Sequence, residues 1–299
     1  MNNDFDTWRR IAGYSEKSIK GQNYHINHFQ SWCNVQNINP ESITYNQALQ
    51  YIDSERERGI INQSIINIVG SIRIYFDYLV ATGNIKQNIF KRIKIRKSGK
   101  KVLPETLSPQ QLENVYQNFL TLPQWEHKTK TAKELHKRNV VVLGLLVYQG
   151  ITSGETAKLE TSHINLIEGK IYIPATRKGN ARTLKLQANQ ILPLKSYIEE
   201  LQVTSYKLQE FTPNPYLFPV KKHTDMISSI LKQVKKQNPN IKDSRQLRAS
   251  VIMNWLKGNN IRQVQYMAGH RSIVSTEEYR NQDLTDLAVQ LELFHPLRG

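Results

Sequence analysis

Apolar side chains in the first hundred residues recur at helical spacing. One such stripe consists of Ile19, Ile26, Phe29 and Trp32. Ser18, just before it, is predicted to be the helix N-cap. Two further helices are predicted over 45–58 and 63–81, and a shorter fourth element begins near Asn88. Because no alternating strand pattern interrupts these stripes, the sequence predicts a small all-α domain.

The second half of the chain mixes helical and strand patterns. Ser108-Pro109-Gln110-Gln111 combines an N-cap, a proline at the first helical position and a capping-box glutamine. An apolar run over 138–149 predicts a buried helix, and Ser153 is predicted to cap a short helix after it. Two strands joined by a tight turn at Glu168-Gly169 are predicted over 164–173. Further helices are predicted at 189–201, 225–237, 244–257, 260–268 and 283–294.

A second turn at 177–182 and a strand at 183–186 complete the strand pattern. The predicted fold class is therefore mainly α with a small antiparallel β-sheet. The predicted domains are an all-α domain over 1–97, a basic linker over 98–107 and an α+β domain over 108–299. The last of these ends with the C-terminal helix just named.

The composition is that of a folded and strongly basic chain. Its 299 residues carry 41 Lys and Arg against 25 Asp and Glu, a formal charge of +16. A hydrophobic content of 39% supports real cores and excludes a disordered basic tail protein. Such a charge favours a polyanionic partner, most often nucleic acid, over charge spread on the surface for solubility alone.

The sequence also narrows the compartment and the metal chemistry. Its one cysteine, Cys33, excludes an internal disulfide and a cysteine-based metal cluster. No apolar run approaches the roughly 18 residues of a membrane span, and the N-terminus has no secretion-signal pattern. We therefore expect a cytoplasmic, nucleoid-associated protein without a membrane partner.

The positive charge concentrates between the two predicted domains. The segment 91–101 carries seven basic residues and no acidic one, and it leads into the proline-bearing stretch 102–109. A solvated tether has this composition, but between two folded halves such side chains are predicted to lie along a DNA phosphate backbone. The predicted DNA contacts are Lys91, Arg92, Lys94, Arg96, Lys97, Lys100 and Lys101, with Arg177 in the second turn.

Four short motifs in the second half become informative through their order. They are Gly150-Ile151-Thr152-Ser153-Gly154-Glu155, the turn lysine Lys178, Arg245-Gln246-Leu247-Arg248, and Gly269-His270 followed by Tyr279. Taken singly, each has an ordinary interpretation, such as a solvated lysine or a helix end. Together, their order and spacing resemble the catalytic domain of the tyrosine recombinases, the phage-integrase and Xer-like family.

The resemblance covers nearly the whole chain. The turn at 177–182, Arg-Lys-Gly-Asn-Ala-Arg, is similar to the family's Gly-Lys-Gly-Asn-Lys-Glu-Arg hairpin. The segment 261–270 is similar to the family helix that ends in Leu-Gly-His. The helical N-terminal part resembles the family's core-binding domain, and the remainder resembles its catalytic domain.

The resemblance implies an enzyme, a tyrosine site-specific recombinase or integrase that cleaves and rejoins DNA without metal, ATP or another cofactor. Tyr279 would attack a scissile phosphate and form a 3′-phosphotyrosyl link. Arg248 would clamp the phosphate, Lys178 would protonate the leaving 5′-oxygen, and His270 would donate a hydrogen bond to the phosphate. Glu155 would buttress the site.

Two positions depart from the family pattern. Thr152 stands where the first clamp arginine is expected, and loss of one such donor typically costs on the order of 10²–10³ in rate. Arg245 stands where His or Lys is usual. We expect Arg245 to supply a compensating cation from the opposite side of the phosphate.

Other functions fit part of the sequence. A catalytically impaired recombinase-fold regulator would bind DNA and leave Tyr279 and Lys178 idle. A type IB topoisomerase shares the chemistry but not the length or the helical N-terminal half. No carboxylate cluster with His or Cys partners indicates a metal nuclease. The expected partner is double-stranded DNA with short paired half-sites, bound by a homotetramer that is linked through the helix 283–294.

Overall fold

The computed structural model describes residues 3–96, 105–121, 130–207 and 214–280. The chain separates into two compact units, Met1–Lys101 and Val102–Gly299. The described parts of both units are mainly helical, and the second contains a three-stranded antiparallel sheet, so the predicted fold class is confirmed. The predicted domain and linker limits stay a prediction, and the predicted helix 283–294 lies outside the described residues.

The first unit is built around three long helices and a short one. They are α1 (Asn3–Ile11), α2 (Glu16–Val35), α3 (Tyr45–Glu57) and α4 (Asn62–Ala81). Helix α3 begins with a reciprocal capping box between Thr44 and Gln47. Aromatic rings fill the centre of the unit, where the Phe29 and Phe90 centroids are 5.5 Å apart in an edge-to-face contact.

Three details of this unit differ from the sequence prediction. Ser15, not Ser18, is the N-cap of α2, because the Ser15 hydroxyl accepts from the Ser18 amide at 3.2 Å. Helix α1 was missed because it is short, and it is held through the buried ring of Phe5. The element near Asn88 is a single 3₁₀ turn, Ile89–Arg92, which Asn88 caps.

By length and composition, α4 is the one helix in the described residues that could cross a membrane. The expectation that no apolar segment approaches the roughly 18 residues of a membrane span was therefore wrong, since α4 has 20 residues. The apolar side chains of α4 include Val69, Ile72 and Phe76, and these are buried in the core of the first unit. Packing inside the unit accounts for the hydropathy of α4.

The second unit surrounds the buried helix α6. Its helices are α5 (Pro109–Leu120), α6 (Lys130–Tyr148), α7 (Ser153–Thr156), α8 (Ala188–Lys207), α9 (His223–Gln237), α10 (Ser244–Gly258) and α11 (Ile261–Ala268). The side chains of 140–143 and 145–147 on α6 are all buried, as the apolar run predicts. The capping box at the start of α5 is present as predicted, between Ser108 and Gln111.

A small sheet lies beside these helices. Its strands are β1 (Ile164–Asn165), β2 (Lys170–Ile173) and β3 (Arg182–Lys185), in the order β1-β2-β3. Ile173 pairs with Arg182, so β3 begins one residue before the predicted strand and turns the Arg182 side chain inward. Helix α7 also differs from the prediction, because Thr152 rather than Ser153 is its N-cap.

Candidate active site

Arg248 lies on the second turn of α10, and its guanidinium reaches the ends of two other helices. Its Nη1 donates to the Gly150 carbonyl at 2.5 Å, and its Nη2 donates to the Ala268 carbonyl at 2.7 Å. Gly150 follows the end of α6 and Ala268 ends α11, where carbonyl groups lack helical partners. Arg248 therefore ties three helices together, and its position is fixed before any ligand arrives.

The Glu155 carboxylate lies between two arginines. Its Oε1 accepts from Arg182 Nη1 at 2.5 Å, and its Oε2 is 3.9 Å from Arg248 Nη1. Oε2 also accepts from the amide and the hydroxyl of Thr152, at 2.7 and 2.9 Å. Burial raises the pKa of Glu155, but the two arginines and the Thr152 amide outweigh burial and hold that pKa below its usual value. Two guanidinium groups therefore face one carboxylate, and this buried centre carries a net positive charge.

Gly269 and His270 lie directly over this centre. Gly269 ends α11 in the left-handed conformation, with φ of 69°, and a Cβ there would be 2.5 Å from Arg182 Nη1. His270 Nδ1 is 2.9 Å from the hydroxyl oxygen of the buried Thr276. Burial, together with Arg248 and Arg182, lowers the pKa of His270 to about 4. The imidazole is therefore neutral at pH 7.

Tyr279 stacks on His270. The ring centroids are 6.0 Å apart with an angle of 13° between the planes, and Tyr279 also packs against the cluster of Ile252, Val264 and Ala268. The segment 274–280 is helical and carries the tyrosine. Burial raises the pKa of Tyr279, while the Arg248 charge lowers it. The phenol therefore starts protonated next to a fixed cation.

Lys178 lies at the exposed tip of the turn between β2 and β3. Its amide is 3.3 Å from the Thr176 hydroxyl oxygen, and Lys178 forms no ion pair within the described part of the chain. The base of the turn is joined to the buried centre, because the Asn180 amide donates to the Gly269 carbonyl at 2.9 Å. The turn therefore brings Lys178 to the same side of the unit as His270.

The remaining predicted site residues lie further out. Arg245 is 88% exposed and forms a 2.7 Å ion pair with Asp243, the N-cap of α10. It lies one turn before Arg248 on the same helix but does not enter the buried centre. Arg177 is exposed at the tip of the turn, next to Lys178.

The described part of the predicted basic segment is held on the first unit. Arg73 donates to the carbonyls of Phe90 and Ile93, and Ile93 is buried. Lys94 and Arg96, which follow the buried Ile93, are exposed. Two other predicted DNA contacts have local partners on the unit, because Lys91 forms a 2.7 Å ion pair with Asp77 and Arg92 donates to Gln87. Lys97, Lys100 and Lys101 lie outside the described residues.

Sequence reasoning missed three side chains of the site: Arg182, Arg271 and Thr276. Arg182 has a signal in the sequence, because it ends the Arg-Lys-Gly-Asn-Ala-Arg turn with a charge at an inward strand position. Arg271 directly follows His270, and its guanidinium donates to the Thr176 carbonyl at 3.0 Å. Thr276 has no signal in the sequence, since only the fold brings its hydroxyl to His270. Within the described ranges, no group of His, Cys, Asp and Glu side chains suits a metal ion.

A family pattern and individual relatives match this sequence over most of its length. The sequence pattern of the phage integrase family matches residues 105–285. The chain is 23% identical to the TnP I resolvase of Bacillus thuringiensis over 293 residues, covering 97% of this chain and 98% of that protein. It is 22% identical to the tyrosine recombinase XerC of Bacillus pumilus, covering 95% and 92% of the two chains.

Solved structures share the fold at lower identity. A lambda integrase dimer bound to a COC′ core site has a TM-score of 0.62 and 18% identity, covering 93% of this chain and 94% of that one. The Tn1549 transposon integrase in complex with transposon right end DNA has a TM-score of 0.62 and 14% identity, covering 95% and 97%. Because the family pattern matches more than half of the chain, this protein belongs to the phage integrase family and is a site-specific recombinase that acts on DNA.

Proposed function

We propose that Tyr279 is the nucleophile with which this recombinase cleaves and rejoins DNA strands. The phenol oxygen forms a bond to the scissile phosphorus as the bond from phosphorus to the 5′-oxygen breaks. The phenol proton passes to solvent water, and Lys178 gives a proton to the leaving 5′-oxygen. A 3′-phosphotyrosyl link and a 5′-hydroxyl result. Attack by a 5′-hydroxyl reverses the step, so religation needs no ATP.

The observation that carries this proposal is the stacking of Tyr279 on His270 beside the fixed guanidinium of Arg248. Negative charge grows on the non-bridging phosphate oxygens in the transition state, and donors that are already in place stabilise it most. Arg248 supplies such donors. We assign to the neutral His270 the tautomer with its proton on Nε2, in which Nδ1 accepts from the Thr276 hydroxyl and Nε2 donates to the phosphate.

We assign Thr152 to the position of the first clamp arginine, and Glu155 to the buttressing role. Thr152 caps α7 and occupies one oxygen of Glu155, so its short side chain serves the fold and brings no charge. Arg182 brings a second guanidinium to the same carboxylate. Its Nε and Nη2 are buried without a hydrogen-bond partner in the described residues, which leaves its charge only partly compensated. Arg182 therefore supplies from inside the unit the positive charge that position 152 lacks, and the exposed Arg245 approaches the same phosphate from the opposite side when DNA binds.

A trapped covalent intermediate tests the assignment of Tyr279. The purified full chain selects a binding site from a random-sequence duplex pool, and duplexes nicked at successive positions across that site serve as substrates. Cleavage next to a nick releases a short fragment that diffuses away, so the phosphotyrosyl adduct accumulates. We expect an adduct with the wild-type chain and none with Tyr279→Phe.

The matched control is Tyr172→Phe. Tyr172 is an exposed tyrosine on β2 that contacts His163, and its loss should leave the adduct unchanged. If every nicked duplex binds tightly and none gives an adduct, the chain is a DNA-binding regulator on a recombinase fold. Adduct formation in Tyr279→Phe would instead move the nucleophile to another residue.

Further proposals concern how the DNA is held. The exposed Lys94 and Arg96, with Lys91, Arg92, Lys97, Lys100, Lys101 and Arg177, contact phosphates of a duplex that carries short paired half-sites. We also propose that the predicted helix 283–294 links four protomers on DNA. Deletion of 283–299 should then weaken cooperative binding to paired half-sites more than binding to one half-site, in a gel-shift titration. Equal loss of both would contradict the linkage.

A further inference from the structure

We propose that Arg271 is a positioning residue for Lys178 and acts on it through Thr176. This inference rests on the proposed role of Lys178 as the proton donor to the leaving 5′-oxygen. No feature of the sequence motifs marks Arg271, because it lies outside the Gly269-His270 pair. Its place in the structure gives it the role.

Thr176 organises the turn that carries Lys178. Its hydroxyl oxygen accepts from the amide of Gly179 at 3.0 Å and lies 3.3 Å from the amide of Lys178. Its own amide donates to the Gly179 carbonyl at 2.8 Å. A side chain that accepts from amides two and three residues later fixes the path of a turn. The position of Thr176 therefore determines the position of the Lys178 backbone.

The two sides of the turn are held differently. On one side, Gly179 and His270 form a β-bridge, and the Asn180 amide donates to the Gly269 carbonyl. On the side of Thr176, Arg271 Nη2 donates to the Thr176 carbonyl at 3.0 Å, and Lys158 Nζ donates to the carbonyl of the preceding Ala175 at 2.8 Å. Arg271 is exposed, and the bond to Thr176 is its one side-chain hydrogen bond in the described residues. Its removal would free the Thr176 carbonyl itself and leave this side of the turn attached one residue earlier, at Ala175.

This arrangement links the proton donor to the phosphate-binding histidine. His270 and Arg271 are neighbours in sequence. His270 contacts the turn through its β-bridge with Gly179, and Arg271 contacts it through the Thr176 carbonyl. A general acid must lie within hydrogen-bond distance of the atom that it protonates, so a turn free to swing loses rate even when Lys178 is intact. Arg271 therefore keeps the position of Lys178 fixed relative to His270.

The test compares two leaving groups. The first substrate is the selected duplex with its ordinary 5′-oxygen, and the second carries sulfur at that one bridging position. A thiol has a pKa near 8.5, far below that of an alcohol, so the sulfur leaves without receiving a proton. Single-turnover cleavage is measured on both substrates for the full-length wild type, Lys178→Ala, Arg271→Ala and Arg271→Lys.

We expect Lys178→Ala to lose about 10²-fold or more on the oxygen substrate and Arg271→Ala to lose about tenfold. Both losses should disappear on the sulfur substrate. Arg271→Lys should keep most of the rate, because an ammonium also donates to a carbonyl. In Lys178→Ala, adding Arg271→Ala should cost nothing more. The matched control is Arg262→Ala, which removes an exposed arginine that contacts Gln265 on its own helix, and its rates should equal those of the wild type.

Two results would overturn the inference. If Arg271→Ala is equally slow on both substrates while Lys178→Ala recovers on sulfur, Arg271 acts on the phosphate or on folding, and the role of Lys178 stands without it. If Lys178→Ala itself fails to recover on sulfur, the proposed proton donor is wrong, and the positioning role falls with it.

Discussion

The cations of this site fall into two groups that are held in different ways. Arg182 is buried and the Arg248 side chain is only 16% exposed, and both are fixed by a carboxylate or by carbonyl groups at helix ends. Lys178, Arg245 and Arg271 are exposed, and their charged groups have at most one local partner. The buried group is held in place in the absence of DNA, whereas the side chains of Lys178 and Arg245 are exposed to solvent.

The two groups differ in when the cation loses its hydration, during folding or on binding of a phosphate. A buried guanidinium has lost its hydration during folding, so its charge acts in a low dielectric and needs no reorganisation when the transition state forms. An exposed cation keeps its hydration until DNA arrives, and its contribution falls with salt. Substitutions in the buried group should therefore change folding and chemistry, and those in the exposed group should change binding or the position of one donor.

The largest expected effect follows from Arg182→Met. The change leaves Glu155 buried with one of its two cations gone, and breaking such a pair typically costs about 3–5 kcal/mol. Urea unfolding of the second unit should therefore begin at lower concentration than in the wild type. Glu155→Gln added to Arg182→Met should recover part of the loss, because it removes the stranded charge.

A second double variant on the Arg182→Met background tests the compensation for Thr152. Thr152→Arg in the Arg182→Met background places a guanidinium next to Glu155 again and should restore adduct formation in part. Full activity of Arg182→Met in the nicked-duplex assay would contradict the compensation, because the buried cation would then contribute nothing to the chemistry.

Periodicity was sufficient to predict most helices and the sheet of this fold. The apolar run of α6 and the capping box of Ser108 and Gln111 depend on local spacing, which a sequence displays directly. Caps that compete within one turn were misjudged, as with Ser15 and Ser18, because backbone dihedrals decide which serine accepts. The short α1 was missed because it is held by the contact of Phe5 with Tyr75 and Tyr78, which lie far away in sequence.

The site was predictable where its residues lie in motifs and unpredictable where the fold alone joins them. The order of the motifs predicted Lys178, Arg248, His270 and Tyr279 as site residues, and their roles stay a prediction. The pairing of Arg182 with Glu155 and the hydroxyl of Thr276 at His270 span 27 and six residues, and no spacing rule anticipates them. Arg245 was expected to face the scissile phosphate, and that stays a prediction, since its side chain is paired with Asp243 in the absence of DNA.

A smaller effect is expected from Arg245→Ala, in the exposed group. Removal of one phosphate contact should weaken DNA binding by about tenfold or less and reduce the slope of log K against log salt by about one. The thermal midpoint should not change, because an exposed ion pair contributes little to folding. Binding isotherms at several salt concentrations measure this. A salt slope equal to that of the wild type would place Arg245 outside the DNA contact.

The smallest expected effect concerns His270, which lies where the two groups of cations meet. Its folded pKa, about 4, is below the ordinary value near 6.5, because burial and the charges of Arg248 and Arg182 disfavour the imidazolium. As the pH falls from about 6.5 toward 4, the unfolded chain therefore takes up a proton that the folded chain refuses, and stability is lost in that window. His270→Gln removes this term but leaves Glu155 and the other histidines in place. The wild type should thus lose about 2–4 °C more in thermal midpoint than His270→Gln between pH 7 and pH 5. Parallel midpoints for the two chains would show that folding does not lower the pKa of His270.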